Sequence, residues 1–150
     1  MKGAILYYSL NGSTAKFVND MAKNNGFKAY RMVEKKKRTV VNAFLKGSRQ
    51  AMKREAVELV PVEINWTGVE RIVVACPIWA GYPAPAFNSM IKLLPKKMPI
   101  ELYFVSGSGS SANSRTETEK MLADEGYNIV SYTDVVTRSI YAQQPKTEKA

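Results

Sequence analysis

The chain contains no histidine, so zinc sites built on imidazole, and Ser-His-Asp or Cys-His catalysis, are excluded. Its single cysteine, Cys76, rules out an internal disulfide and argues strongly against an iron–sulfur cluster. Scarce cysteine also favours a reducing, cytoplasmic compartment. No apolar run approaches the ~20 residues that span a bilayer. The opening MKGAILYYSLNG joins a charge to a short apolar run without a small-residue cleavage pattern, so it reads as a first strand rather than a targeting signal. Neither GxxxxGK[ST] nor GxGxxG lies between that strand and the first helix. The strand ends in Tyr8-Ser9 with no acidic pair to hold a metal, which argues against a phosphoacceptor role.

What is present is a 150-residue chain with 45% hydrophobic residues, enough for one domain with a real core. Its net charge is +9, concentrated in EKKKR (34–38), in Lys46, Arg49, Lys53 and Arg54, and in Lys96-Lys97. Such a surface favours anionic ligands or acidic protein partners and attracts nucleic acid non-specifically; a solvated basic face with no partner is an equal alternative. No zinc-finger, RNA-recognition or KH signature accompanies the charge, so specific nucleic-acid binding is not expected.

Hydrophobic periodicity predicts alternating elements. Strands are expected at 4–9, 27–33, 72–76, 100–107 and 127–132, and helices at 14–26, 39–55, 84–94 and 114–126. The second helix should show a break or irregularity at Gly47, Pro95 should end the third, and Ser114 is a candidate cap for the fourth. Beyond 132 at most a short element is expected, followed by a mobile tail; residues 1–132 form the domain and 133–150 the remainder. The order βαβαβαβαβ specifies an α/β fold, a three-layer doubly wound sandwich around a five-stranded parallel sheet.

In such a sheet, ligands bind beyond the carboxyl ends of the strands, where strand order reverses. Three loops lie there. SLNGST (9–14) offers Ser9, Asn11, Ser13 and Thr14 as polar groups, Gly12 as a tight turn and a helix N-terminus behind them: a candidate phosphate cradle, or an ordinary capped turn. PIWAGYPAP (77–85) sets Trp79 and Tyr82 around Gly81 on a proline-stiffened loop. Its aromatics suit a planar ligand, or else form a lid on the protein's own surface. SGSGSSANS (106–114) is small and polar, able to border a heteroaromatic edge or merely to link strand to helix.

ILYYSLNGSTAKFVNDMA, VVACPIWAGYPAPAFNSMI and YFVSGSGSS together resemble the strand, phosphate loop and flavin-flanking loops of the flavodoxin-like family, over residues 1 to about 132. The resemblance implies strand order 2-1-3-4-5 and FMN as cofactor. It assigns Ser9, Asn11, Gly12, Ser13 and Thr14 to the FMN phosphate. Pro77, Ile78, Trp79, Ala80, Gly81 and Tyr82 would lie beside the isoalloxazine, and Ser106, Gly107, Ser108 and Gly109 would form the second flanking loop. Trp79 is the first candidate for a ring contact and Tyr82 the second, and Gly81 would permit a redox-dependent backbone rearrangement.

The strongly basic charge departs from the many acidic electron carriers of that family, and the short polar tail departs from its usual last helix. The uncovered face would then be thinner or covered by a second subunit, making a homodimer one expectation. No catalytic residue is expected, because none of the three loops contains Asp or Glu. The leading expectation is electron transfer to a redox protein partner. The alternatives are an NAD(P)H-dependent oxidoreductase reducing a quinone or similar acceptor, and a flavin-free regulatory protein that keeps the fold.

Overall fold

The structure is a computed structural model and describes residues 2–142; the expected tail beyond 142 lies outside the described residues. Among the described residues there are six strands: β1 (Gly3–Tyr8), β2 (Lys28–Met32), β3 (Arg71–Trp79), β4 (Tyr82–Pro83), β5 (Pro99–Ser106) and β6 (Asn128–Val136). The helices are α1 (Ser13–Asn25), α2 (Val40–Asn42), α3 (Ser48–Met52), α4 (Pro85–Met90), α5 (Ala112–Asp124) and α6 (Thr137–Ala142). The sheet order is β2-β1-β3-β5-β6, all parallel, with β4 folded back antiparallel on β3. Setting aside the two-residue β4, which the sequence does not advertise, this is the expected 2-1-3-4-5 topology.

Alternation along the strands divides the core between two faces. Ile5, Tyr7, Val73 and Ala75 pack with Ala15 and Val18 of α1. Leu6, Tyr8, Val74, Cys76, Leu102 and Phe104 pack with Phe87 and Met90 of α4 and Leu122 of α5. Because both faces are covered, β1 and β3 read as continuous apolar runs. On β2 the deeply buried side chains are Tyr30 and Met32, while Arg31 is exposed.

Three features go beyond the sequence reading. The second helix has an irregularity, not a break, at Gly47: a π-helical turn, Ala43–Gly47, joins α2 to α3 without interruption. Residues 55–70 form no helix and pair only through the Glu34–Leu59 bridge, yet Val57, Leu59, Val62, Ile64 and Trp66 pack against the core. Finally, β6 runs four residues past 132 and leads into α6, which buries Ile140 and packs on α1. That short helix covers part of the face left bare in the sequence reading.

Candidate functional site

The parallel register places the carboxyl ends of β1, β3 and β5 side by side, so their three loops share one sheet edge. At about 4.8 Å between neighbouring strands, the loops after β1 and β5 stand roughly 10 Å apart.

The loop after β1 is braced by its own side chains. Ser9 Oγ accepts from the N–H groups of Gly12 (3.2 Å) and Ala15 (3.1 Å), and Asn11 Oδ1 accepts from Ser13 N–H (3.3 Å). These are long for N–H···O bonds to neutral acceptors, whereas an anion would take the same donors in shorter, charge-assisted bonds. Gly12, not Ser13 or Thr14, is the helix N-cap, and its φ of 97° lies in the left-handed region. A Cβ there would meet nothing within 4 Å, so conformation and not crowding requires glycine. Ser13 Oγ lies 3.2 Å from the Tyr141 hydroxyl of α6, and Thr14 is buried.

Charge reaches this loop from an unexpected direction. Lys16 is tied to Asp20 at 3.0 Å, while Arg31, at the end of β2, donates to the Ser9 carbonyl at 3.0 Å. An arginine on a half-exposed strand carries no sequence mark of that role.

PIWAGYPAP is a miniature hairpin. Ile78 pairs with Pro83 and Trp79 with Tyr82, around a two-residue turn in which Ala80 (φ 53°) and Gly81 (φ 84°) are both left-handed. Positive φ at both central residues is what a type I′ turn requires, and a non-glycine there stores strain. The turn is fastened to α5 by the buried Ser114 hydroxyl, which donates to the Gly81 carbonyl at 2.6 Å. Ser114 is therefore a hairpin anchor and not a cap; Ser111 precedes the helix.

Both aromatics are occupied by the protein itself. Trp79 meets Tyr8 edge-on at 5.9 Å and lies under the Arg38 guanidinium at 5.3 Å. A Cβ at Gly47 would come within 2.9 Å of the Trp79 ring, so the π-helical turn presses directly on the indole. Tyr82 lies under the Arg54 guanidinium at 5.1 Å. Behind Trp79 runs a buried polar network that the sequence does not announce. Arg38 pairs with Glu34 at 2.8 Å, both side chains less than a tenth exposed, and Glu34 also accepts from the Tyr8 hydroxyl. Arg38 reaches Asn42 and Gln50 as well. Burial, then Glu34, pushes the Tyr8 hydroxyl far above its ordinary range.

The loop after β5 and the hairpin turn enclose a cavity of about 430 Å³, lined by Ile78, Ala80 and Gly81 on one side and by Ser106, Gly107, Ser108 and the start of α5 on the other. Trp79, Tyr82, Pro77 and Gly109 lie outside this lining, as do Ser9, Asn11, Gly12, Ser13 and Thr14 of the β1 loop. The two glycines of GSG do different things. Gly107 faces open space, but a Cβ on Gly109 (φ 74°) would come within 2.8 Å of Val136 Cβ. Ser106 Oγ accepts from Gly109 N–H at 3.0 Å, which closes the turn. The loop is anchored below by Ser111, which donates through its hydroxyl to Asp134 at 2.6 Å and also bonds Tyr132. Burial pushes the Tyr132 hydroxyl up to about 12. Cys76 is fully buried and its thiol is pushed far up by desolvation, so it is a core residue and no nucleophile.

No titratable side chain lines the cavity, and among the described residues no cluster of three or more Cys, Asp or Glu is placed to hold a metal. No helix among them is long and apolar enough to cross a membrane. The site is thus an open polar slot at the same sheet edge as a donor-rich turn, suited to binding a group that brings its own chemistry.

No family model and no curated protein matches the chain. Solved structures do. A flavoprotein from Lactobacillus acidophilus, crystallised in complex with FMN, superposes with a TM-score of 0.74 at 19% identity, covering 95% of this chain and 97% of that one. Candidate flavoproteins from Bacteroides eggerthii and Bacteroides uniformis give TM-scores of 0.76 and 0.75, at 18% and 19% identity. The first covers 94% of each chain, and the second covers 95% of this chain and 98% of its own. Parallel β2-β1-β3-β5-β6 topology, helices on both faces and near full-length superposition agree: the chain has the flavodoxin-like fold shared by these flavoproteins.

Proposed function

We propose that the chain is an FMN-binding electron-transfer protein. The observation that carries this reading is the open slot between the Ala80-Gly81 turn and Gly107, at the same sheet edge as the Ser9–Thr14 turn, on a fold whose Lactobacillus relative holds FMN. The residues present fit the group: Gly107 leaves its wall open, and the β1 loop carries N–H donors held only by long bonds to Ser9 and Asn11.

Ser9, Asn11, Gly12, Ser13 and Thr14 would hold the phosphate, with Arg31 supplying charge behind the loop. Pro77, Ile78, Ala80 and Gly81 would border one side of the ring and Ser106, Gly107, Ser108 and Gly109 the other. Trp79 and Tyr82 would support that border from outside while they remain packed on Arg38 and Arg54. FMN would supply the redox chemistry. The chain's own part is to bind and orient it, with no acid or base in the lining to move a proton. Electron exchange with a redox protein partner in the cytoplasm fits such a site better than hydride transfer from NAD(P)H, for which no cationic residue lines the slot.

One observation favours a second reading, a flavin-free regulatory protein: the β1 loop's donors already have internal acceptors. Titration of the purified protein with FMN, followed by flavin fluorescence, separates the two. Saturable quenching supports the proposal, and its absence supports the second reading. If FMN binds, rapid reduction by NADPH with turnover on a quinone would replace the carrier by an oxidoreductase.

A further inference from the structure

The segment Val40–Met52 is turned the wrong way round for a helix that serves only its own fold. Its small residues, Ala43, Gly47 and Ala51, face the body and are buried. Its large ones, Val40, Val41, Phe44, Leu45 and Met52, are 49–77% exposed. Helical spacing puts the first four on neighbouring positions of one face. The π-helical turn and the close fit of Gly47 on Trp79 lock that orientation, so the apolar face cannot roll inward.

The charge around this face is of one sign. Residues 35–54 contain eight Lys and Arg and no Asp or Glu. Along one flank lies a cavity of about 460 Å³ whose lining includes Lys35, Lys36, Lys37 and Lys46. Its two carboxylates, Glu34 and Glu58, are already paired with Arg38 and Lys35.

We infer that Val40–Met52 docks the protein on an anionic lipid surface, with Phe44 and Leu45 inserted below the headgroups and the lysines engaging lipid phosphates. A second copy of this chain is disfavoured because it would bring the same positive rim against itself. A protein partner is disfavoured because lysine is depleted at protein interfaces, and because these side chains project into solvent where a bilayer needs no matching groove. The helix lies on the bilayer and does not cross it. Since Trp79 connects this helix to the β3–β4 hairpin, docking would also bring the candidate cofactor site close to the membrane surface.

Co-sedimentation with phosphatidylcholine vesicles, with and without phosphatidylglycerol, tests this in FMN-supplemented protein. Binding is expected only with phosphatidylglycerol and should weaken with salt. Phe44→Ser combined with Leu45→Ser should lower the affinity by about tenfold or more at constant charge. A Phe44→Cys variant carrying an environment-sensitive label should report an apolar environment on vesicle addition; Cys76 is buried and stays unlabelled. Absence of binding to anionic vesicles, or equal binding by the double variant, would overturn the inference. So would a lipid-free dimer that the double variant dissolves, which would assign the face to a second copy. Vesicle binding seen only with FMN-free protein, and abolished by FMN, would assign the face to the cofactor and overturn the inference.

Discussion

Gly107 and Gly109 stand two residues apart in one short motif, yet alanine should have opposite consequences at the two positions. At Gly109 the φ of 74° is left-handed, which costs an L-residue about 1–2 kcal/mol. The new Cβ would also sit 2.8 Å from Val136 Cβ and 3.4 Å from Val136 Cα. Because the obstacle includes β6 backbone, rotation of a side chain does not relieve it, and overpacking adds about 1–3 kcal/mol. Gly109→Ala should therefore lose about 2–5 kcal/mol, lowering the urea midpoint by about 1–2.5 M for a slope near 2 kcal/mol/M. At Gly107 the φ is not positive and the Cβ meets nothing. Alanine there should leave stability unchanged or raise it by up to about 1 kcal/mol through the unfolded chain. Its methyl would enter the slot, and FMN affinity should fall by about tenfold, or about 1.4 kcal/mol. Urea unfolding followed by circular dichroism and FMN titration of both variants decide the matter. Wild-type stability in Gly109→Ala would refute the packing of this loop on β6. Wild-type FMN affinity in Gly107→Ala would refute the slot as the ring's site.

Glu34→Ala should strip the buried Arg38 of its carboxylate and Tyr8 of its acceptor, costing about 3–5 kcal/mol in urea unfolding; a loss under 1 kcal/mol would contradict the buried pairing. Alkaline pH should destabilise the fold. The Tyr132 hydroxyl is raised from 10.0 to about 12, so above 10 the unfolded chain releases a proton that the folded chain keeps. The contribution is intact below 10 and lost as pH rises towards 12. It amounts to about 1 kcal/mol after allowance for solvent screening, and Tyr132→Phe should flatten that part of the profile. Gly12→Val should cost about 1–2 kcal/mol through its φ of 97° and cut FMN affinity by displacing the loop; unchanged affinity would remove this loop from the phosphate.

Layering and a parallel sheet were legible because β1 and β3 are buried on both faces and therefore appear as uninterrupted apolar runs such as AILYY and IVVAC, whereas strand order came only from the family resemblance. The β1 and β5 loops were legible through glycine and serine at strand ends. The hairpin was not, because its turn is Ala80-Gly81 and a left-handed alanine carries no sequence signature. Gly109 was assigned to a ligand, although its glycine requirement comes from Val136, a contact between residues distant in sequence. The Tyr8–Glu34–Arg38 network was hidden within a charge run that reads as solvated surface. Only the fold brings that run beneath Trp79 and buries its ion pair. The outward turn of Val40, Phe44 and Met52 is not legible, because an apolar stripe looks the same in sequence whether it faces the core or the solvent.

The most direct test of the central claim is an absorbance spectrum of the purified protein before and after FMN addition and desalting. A retained flavin spectrum with saturable, near-stoichiometric binding is the predicted result. A colourless protein that shows no saturable FMN binding would contradict the account, even with the flavodoxin-like fold intact.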